Sequence, residues 1–331
     1  MEKIIKFIGP TKMENGFMKM YNENRKRFAI HVLMFNCDQF ILKMIDNCAL
    51  FVEKIYVGYS ELAWTYNPEA REKFKNTTNK NILKKSKYFN KIELIEGEWE
   101  LDENERNTCL ERARAEGYDY LIIQDADEFY TKKGYENNIA DIISNPNWDL
   151  FVTPWYSFWK NLDYVIEPNE GSEIIDFPFA IKCNSDVKFV QSRTTNAKKS
   201  YRLPGICYHL SYVLTDEEVY RKINTWGHAK DFDTFSWYRR KWLKWNENTT
   251  NLHPLYPDMW KRAVRFKGEL PDELDGFEAP EVTLYQSNLF DKIENSYLEL
   301  NIRSKNLFHR LYRKFSLIKF IKTISKFNWK N

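Results

Sequence analysis

DYLIIQDADEF, residues 119–129, is a short apolar strand that runs directly into an Asp-X-Asp triplet. The two carboxylates of Asp125 and Asp127 form a hard oxygen site, which suits Mg²⁺ or Mn²⁺ better than zinc. Because ligands of an open α/β sheet bind beyond the carboxyl ends of its strands, both side chains are predicted metal ligands. Glu128 follows at once, but in an extended backbone it would point to the opposite face. The alternative interpretation of the triplet is a solvated acidic turn.

Strands and helices alternate along the first part of the chain. Apolar runs predict strands at 28–35, 54–59 and 92–95, before the strand that carries the triplet. Asp38 is a predicted N-cap for a helix over 39–51. This strand–helix–strand alternation predicts an α/β fold with a parallel sheet flanked by helices.

Capping patterns mark two further helices. Asp102 and Glu105 have the spacing of a capping box for a helix over 103–116, and Gly117 is suited to end that helix. A second box of the same spacing opens at Thr215. The remaining predicted elements are helices over 136–144, 215–226 and 233–246, strands at 149–153, 187–191 and 206–213, short strands within loop over 163–186, and loop over 247–285.

The composition is that of a globular protein with a basic tail. The 331 residues can bury a full core, and aromatic residues reach 16%, which suits core packing or stacking on sugars and bases. Nine Lys or Arg and no acidic residue lie in 303–331, so the remainder holds 41 basic and 47 acidic residues, a net charge of about −6. The five scattered cysteines have no zinc spacing and predict reduced thiols.

Several common functional patterns are absent from the sequence. It contains no GxGxxG after the first strand, no P-loop, no GxSxG and no HExxH. Nothing at the N-terminus has the pattern of a signal peptide, and no apolar run reaches the length of a membrane span. We therefore expect a soluble or peripheral protein.

Two histidines and one arginine are further candidate ligands. His209 lies in an apolar strand, where it is either a third metal ligand from a late strand or a satisfied core histidine. His228 repeats this pattern more weakly. Arg106, in the helix before the triplet, either clamps a phosphate in bidentate fashion or pairs with a nearby carboxylate.

An aromatic cluster follows the strand at 149–153. Alternate residues of a strand face opposite sides, so core packing accounts for half of these rings. The others could stack on a sugar face. The predicted acceptor-binding residues are Trp155, Tyr156 and Trp159, of which one or two are expected to meet the ligand.

The basic tail has apolar side chains at helical spacing between Leu307 and Ile324. A basic amphipathic helix is typical of binding to an anionic membrane surface, where each Lys or Arg contributes on the order of 1 kcal/mol. The alternatives are a helix packed on the acidic body and a nucleic-acid contact. We expect 303–331 to bind a membrane.

Residues 28–245 resemble nucleotide-sugar glycosyltransferases of the GT-A fold, in particular the family 2 type of bacterial enzymes. The resemblance rests on HVLMFN at 31–36, KIYVGYS at 54–60, the segment from ERN to DADEFY at 105–130, and YHLSYV at 208–213 with the helix after it. The late segment is also similar to beta-1,4-N-acetylglucosaminyltransferases. The resemblance implies a Rossmann-like α/β fold, with a mixed and mostly parallel sheet flanked by helices.

The resemblance also implies roles for particular residues. In that family the Asp-X-Asp motif holds Mn²⁺ or Mg²⁺ on the donor diphosphate, a role that falls here on Asp125 and Asp127, with His209 as the later ligand. The family often has Asn-Glu after its first strand, where this chain has Asn36-Cys37. The QxxRW motif of processive members is absent, which favours the addition of a single sugar. The residues expected to bind the nucleotide-sugar are Asn36, Asp38, Tyr59, Arg106 and Asp125.

The catalytic base is the least defined part of the predicted site. An inverting transfer needs a carboxylate to take the proton of the acceptor hydroxyl. The predicted catalytic residues are Asp127, Glu173 and Asp216, while Glu170 and Asp176 are candidates that the sequence does not separate from them. A retaining reaction stays open.

These features together predict a metal-dependent, hexosyltransferase-type glycosyltransferase at the cytoplasmic face of the membrane. It would move one sugar from a nucleotide-sugar to a glycan or lipid-linked acceptor in surface polysaccharide synthesis. The alternatives are a glycosyltransferase acting on nucleic acid or protein, a non-catalytic sugar-binding module of the same fold, and a nucleotidyltransferase. The predicted organisation is an extension at 1–27, the GT-A domain at 28–245, an irregular and helical part at 246–302, and a basic helix at 303–331.

Overall fold

A computed structural model of the chain describes residues 26–64, 68–168, 176–225, 229–305 and 307. The strands are β1 Phe28–Met34, β2 Lys54–Tyr59, β3 Ile92–Glu96, β4 Tyr120–Ile123, β5 Glu128–Phe129, β6 Leu150–Trp159, β7 Asn161–Pro168, β8 Asp176–Lys182, β9 Phe189–Gln191, β10 Thr194–Thr195, β11 Tyr201–Arg202, β12 Cys207–Tyr212 and β13 Trp260–Arg265. The helices are α1 Ile41–Cys48, α2 Pro68–Lys73, α3 Asp102–Ala115, α4 Lys132–Ser144, α5 Asp216–Thr225, α6 Thr234–Trp237 with a π-helical continuation at Tyr238–Leu243, and α7 at 289–305.

One sheet of 11 strands organises the described residues, with the main order β13-β7-β6-β8-β4-β1-β2-β3. The half built from β4, β1, β2 and β3 is entirely parallel. The other half is antiparallel through β8, β6, β7 and β13. The carboxyl ends of β1, β2 and β4 therefore meet at one edge, which is where open α/β sheets bind ligands.

Helices cover both faces of the sheet because β1 and β4 are apolar on both sides. Ile30 and Val32 of β1 pack in a core cluster with α1 and α4. Ala29 of β1 and Leu121 of β4 belong to a second cluster with α3. Strands that are buried on both faces are typical of the parallel part of an α/β protein. The predicted fold class, a mixed α/β sheet flanked by helices, is confirmed.

The predicted helix boundaries are right in two places. Thr215 and Glu218 form the expected capping box: the Thr215 amide donates to Glu218 Oε2 at 2.8 Å, and the Glu218 amide donates to Thr215 Oγ1 at 3.3 Å. Gly117 ends α3 with a φ of +72°, a left-handed conformation that glycine adopts without strain.

The predicted caps at Asp38 and Asp102 are wrong. Asp38 instead accepts a hydrogen bond from Thr78 Oγ1 at 3.0 Å, and α1 begins without a side-chain cap. Asp102 lies inside the first turn of α3 and accepts from Ser192 Oγ at 2.8 Å. Both carboxylates are drawn to hydroxyls that are distant in sequence, so local spacing alone does not reveal their partners.

Two segments, one predicted as loop with short strands and the other as loop, contain strands of 6 to 8 residues. β7 and β8 lie within 163–186 and its flank, and β13 lies within 247–285. β13 joins β7 in antiparallel pairing from Trp260 to Arg265, so this strand belongs to the same sheet as the β-strands before it. Its proline-rich surroundings conceal the strand in the sequence.

The five cysteines are all free, in agreement with the predicted reduced thiols, and the structure buries each of them. In the described part of the chain, no helix has both the length and the apolar character of a membrane span.

Candidate functional site

The pairing of β12 builds the candidate site. β12 runs antiparallel to the short β5, with His209 opposite Glu128, and parallel to β6, with His209 opposite Ser157. The Leu210 amide donates to the Asp127 carbonyl oxygen at 2.7 Å, which fixes the two segments together. A late strand thus places His209 beside the triplet, although more than 80 residues separate them along the chain.

A cleft of about 980 Å³ opens at this edge of the sheet. Its volume is in the range that holds a small-molecule ligand or a cofactor. Charged side chains of both signs line it, from α3, the triplet, the β9–β10 hairpin and α5. Of the residues predicted to form the site, those that line the cleft are Asn36, Asp38, Arg106, Asp125, Asp127, Trp155 and His209.

Asp125 is held by two guanidinium groups. Arg106 donates to both of its oxygens, at 2.9 and 3.0 Å, and Arg193 donates to Oδ2 at 3.2 Å. Burial alone would raise the pKa of Asp125, but the positive charges of Arg106 and Arg193 outweigh it and hold that pKa well below its usual range. Of the two interpretations of Arg106, the structure supports the one in which its partner is a carboxylate.

Asp127 has a different environment. Its Oδ1 lies 3.7 Å from His209 Nε2, and its Oδ2 lies 3.4 Å from Lys222 Nζ. Lys222 in turn donates to Ser211 Oγ at 2.7 Å. Burial lowers the pKa of His209 to about 4, against the attraction of Asp127, so its imidazole is neutral at pH 7. A neutral imidazole is the form that binds a metal ion.

Glu128 joins this group, contrary to the expectation that it points away. The Glu128 amide donates to the Asp125 carbonyl oxygen at 3.0 Å, so the chain turns after Asp125 and Glu128 returns to the same side. Its Oε1 pairs with Arg193, while among the described residues no hydrogen-bond partner reaches the buried Oε2. Burial raises the pKa of Glu128 to about 8.

The donor set fits a divalent cation. One ligand atom each from Asp127, Glu128 and His209 lies within 4.8 Å of the other two. Two carboxylates and one imidazole are ligands that Mn²⁺ and Mg²⁺ sites use. With its pKa at about 8, Glu128 is protonated at pH 7, so a bound cation would displace that proton and satisfy the partnerless Oε2. Asp125, the other predicted metal ligand, is outside this group because guanidinium groups occupy both of its oxygens.

A buried polar pair lies behind the cleft. Glu105 Oε1 is 3.9 Å from His31 Nε2, and both side chains are fully buried. Burial raises the pKa of Glu105 to about 8 and lowers that of His31 to about 3, so both are neutral at pH 7. Gly58 makes room for this pair, because a Cβ there would lie 1.9 Å from Glu105 Oε1.

Of the three predicted aromatic residues, the structure brings only Trp155 into the cleft. Its ring stacks on Phe177 at a centroid distance of 3.6 Å, with the Arg193 guanidinium 4.8 Å from its centroid. Tyr156 packs edge-on against Tyr208 instead. Trp159 is fully buried in the core, which leaves it out of reach of an acceptor in this conformation.

The residues predicted to contact the nucleotide line the cleft, with one exception. Asn36 has a φ of +48° and accepts from the Thr77 amide at 2.8 Å, which ties the end of β1 to the segment after α2. Tyr59 is buried at the end of β2 and does not line the cleft. Phe35 and Trp64 do line it, with ring centroids 4.9 Å apart, and no sequence pattern had indicated this pair.

Asp216, a predicted catalytic base, begins α5 outside the lining of the cleft. It accepts a hydrogen bond from the Trp242 indole at 2.7 Å and lies 3.5 Å from Lys160 Nζ. Its neighbour Glu217 does line the cleft. Glu173, Glu170 and His228 lie outside the described residues.

Sequence reasoning missed two cations of the site. Arg193 lies in a short hairpin without a recognisable motif, and Lys222 lies on a helix that reads as an ordinary amphipathic one. Lys222 follows Glu218 by one helical turn, so the two side chains share a face of α5. Both line the cleft, and this shared face was the one weak signal in the sequence.

No protein-family model and no curated protein matches the chain. Similar solved structures include a putative nucleotide-diphospho-sugar transferase from Desulfovibrio desulfuricans G20, at 9% identity and a TM-score of 0.34 over 60% of this chain and 88% of that one. S. aureus TarS 1-349 in complex with UDP is 12% identical, with a TM-score of 0.33 over 66% and 71%. A mannose-1-phosphate geranyltransferase from Thermus thermophilus is 13% identical, with a TM-score of 0.27 over 48% of this chain and only 51% of that one.

The similar solved structures are thus nucleotide-sugar transferases and related transferases. At these identities and TM-scores, the function of the chain has to be inferred from its own residues.

Proposed function

We propose that this protein is a metal-dependent glycosyltransferase that moves a single sugar from a nucleotide-sugar donor to a glycan or lipid-linked acceptor. The observation that carries the proposal is the group of Asp127, Glu128 and His209 at the carboxyl edge of the parallel strands. This group lies in a cleft large enough for a nucleotide-sugar. The Asp-X-Asp triplet and the late histidine are also the residues on which the family resemblance rests.

Asp127, His209 and the free oxygen of Glu128 would hold Mn²⁺ or Mg²⁺. A divalent cation at this place supplies Lewis-acid stabilisation of the charge that develops on a leaving nucleoside diphosphate. The predicted role of Asp125 as a ligand requires that it leave its guanidinium partners. The present contacts give Asp125 the role of fixing Arg106 and Arg193 at the floor of the cleft.

Cationic side chains of the chain itself can bind the donor diphosphate. Arg106, Arg193 and Lys222 all line the cleft. Arg106 is paired with both oxygens of Asp125, so Arg193 and Lys222 are the cations proposed to meet the diphosphate. Preorganised cations in a cleft that excludes water stabilise developing negative charge strongly. Trp155 presents a ring at the same place, where a sugar can stack.

The base of an inverting transfer is proposed among the carboxylates near α5. Asp216 is the predicted residue there, and Glu217 is its neighbour that lines the cleft. Glu173, also predicted, lies outside the described residues. Replacing Asp216 and Glu217 separately by the corresponding amides distinguishes them. The base variant should lose transfer to the acceptor while it keeps donor binding.

The first test is a panel of UDP-, GDP-, CDP- and dTDP-sugars with Mn²⁺, in which the released nucleotide is identified. We expect one donor to release a nucleoside diphosphate, and EDTA to stop the release. Release of pyrophosphate from a nucleoside triphosphate would instead identify a nucleotidyltransferase. Glycan binding that chelator leaves unchanged, without turnover of any donor, would identify a sugar-binding module.

The tail at 303–331 would keep the enzyme on the cytoplasmic face of a membrane, near a lipid-linked acceptor of surface polysaccharide synthesis. Its nine basic residues without an acidic one support this localisation. A steep salt dependence of binding to duplex nucleic acid, without vesicle binding, would favour the nucleic-acid alternative.

A further inference from the structure

Helix α7 turns an apolar face toward solvent. Five of its large hydrophobic side chains, together with Leu307 two residues beyond it, are 58–78% exposed. At about 100° per residue, most of them fall on one side of the helix. We name this surface the α7 stripe, and it consists of Leu289, Phe290, Ile293, Tyr297, Leu300 and Leu307.

The opposite side of α7 is fastened to the body. Leu298 and Ile302 are buried there. The acidic residues of the helix face the same way, because each of them pairs with a cation near α6. The pairs are Asp291 with Lys244, Glu294 with Arg239 at 3.0 Å, and Glu299 with Lys241 at 2.5 Å. These contacts hold the apolar face toward solvent. Rotating α7 about its axis to bury the stripe would break all three ion pairs.

The charges beside the α7 stripe are basic. Lys292 is an exposed neighbour of the stripe, and Arg303, also exposed, pairs with Asp258 at 2.5 Å. All the acidic residues of α7 itself are directed to the body. The sequence then continues with the nine basic residues of 303–331. Isolated exposed apolar residues are ordinary, but a contiguous stripe of this kind marks an interaction site.

We infer that the α7 stripe inserts into the interface of an anionic lipid membrane. Apolar side chains on one face with Lys or Arg beside them are the pattern of helices that lie in the plane of a bilayer. A second copy of the chain fits less well, because the acidic residues of α7 are held by cations of the body and none is left to meet Lys292 of an opposing stripe. The inference goes beyond the proposed binding by the tail, since it assigns a membrane contact to a helix that is docked on the body.

The test uses flotation of the full-length chain with phosphatidylcholine vesicles, with and without phosphatidylglycerol. The variant Ile293→Asp/Leu300→Asp places two charges in the stripe, at exposed positions that do not contribute to the core. We expect this variant to bind anionic vesicles at least about tenfold more weakly than the original chain. The matched control, Leu50→Asp/Phe235→Asp, changes residues of similar exposure elsewhere (67% and 65%) and should bind as the original does.

A second full-length variant separates the stripe from the tail. Lys314→Gln/Lys319→Gln/Lys322→Gln lowers the tail charge and should reduce the preference for phosphatidylglycerol, while the effect of the stripe variant persists. Thermal melting confirms that each variant is folded, and donor turnover on a soluble acceptor reports on the proposed enzyme independently.

Vesicle binding that the stripe variant leaves unchanged would overturn the inference. So would a concentration-dependent dimer in sedimentation that the stripe variant abolishes, with no loss of vesicle binding, because the second copy would then be the occupant.

Discussion

Asp125 and Asp127 stand two positions apart in one triplet, yet the fold gives them opposite surroundings. Asp125 is bound by Arg106 and Arg193, which occupy both of its oxygens. Asp127 faces His209 and Lys222 at 3.7 and 3.4 Å, longer than a strong charge-assisted bond. The first carboxylate is thus committed to the structure, and the second is available for a ligand.

This difference teaches that motif spacing defines neighbours in the sequence but not partners in space. The helix α3 and the β9–β10 hairpin approach one side of the triplet and bring guanidinium groups, whereas β12 and α5 approach the other side with an imidazole and an ammonium group. The same residue type therefore pairs with buried guanidinium groups at one position and is proposed to bind a metal ion at the other.

The largest expected effect is that of Asp127→Asn. Removing this carboxylate takes one ligand from the proposed metal site, so donor turnover should fall by about 10²–10³-fold. Calorimetric titration with Mn²⁺ should show weakened binding. The melting temperature should change little, because Asp127 lies 3.7 Å from a neutral His209 and its pair with Lys222 is partly exposed. Turnover and Mn²⁺ affinity equal to those of the original chain would contradict the proposed role.

Asp125→Asn should act on stability instead. The variant takes from the buried guanidinium of Arg106 its closest carboxylate and, among the described residues, leaves only Asp102, at 3.7 Å, which costs about 3 kcal/mol. Urea unfolding measures this loss, and Mn²⁺ affinity should stay near that of the original chain. If the Asp125→Asn variant is as stable as the original chain but binds Mn²⁺ poorly, Asp125 is the metal ligand and its pairs with arginine are not needed for stability.

The raised pKa of Glu105, which lies in α3 with Arg106, predicts that the stability of the fold depends on pH. Its pKa is raised from 4.5 to about 8 in the folded state, so the folded chain holds a proton that the unfolded chain has lost. Stability then falls as pH rises toward 8. His31, with its pKa lowered to about 3, acts in the opposite sense, but only below its ordinary value of 6.5.

Between pH 6.5 and 8, stability therefore depends on the titration of Glu105 and not on that of His31. Glu105→Gln should remove a loss of about 2 kcal/mol across this window, seen as a flatter curve of unfolding free energy against pH. Glu128 contributes to the slope of both proteins and cancels in the difference. Glu111→Gln, on the exposed side of α3, is the control, and a slope that Glu105→Gln leaves unchanged would show that Glu105 is ionised in the fold.

The smallest expected effect is that of Lys222→Gln on Mn²⁺ binding at Asp127. The ammonium lies 3.4 Å from Asp127 Oδ2, so it competes with a metal ion for that oxygen. Its removal should tighten Mn²⁺ binding by about fivefold, or roughly 1 kcal/mol, as for a partly exposed pair. Lys230→Gln, at another lysine that lines the cleft, is the control. Weaker Mn²⁺ binding by Lys222→Gln alone would mean that Lys222 positions Asp127 rather than competing for it.

The sequence was informative wherever a pattern is local. The buried runs of β1, β2 and β4, the Thr215–Glu218 capping box and Gly117 were all predicted, because hydrophobic periodicity and capping act within a few residues. Strands hidden in proline-rich or polar segments, such as β13, were missed because only pairing with β7 stabilises them. The caps at Asp38 and Asp102 failed because hydroxyls distant in sequence compete for those carboxylates.

For the site, the sequence by itself determined the α/β class, the strand that ends in the triplet, and the type of ligand atom that gathers there. Only the tertiary structure decided which carboxylate is free, since the turn that redirects Glu128 and the guanidinium groups that hold Asp125 come from separate elements. The physical reason is that the sequence specifies the type of each side chain directly. Which charged groups pair depends on distances between them, and long-range strand pairing sets those distances.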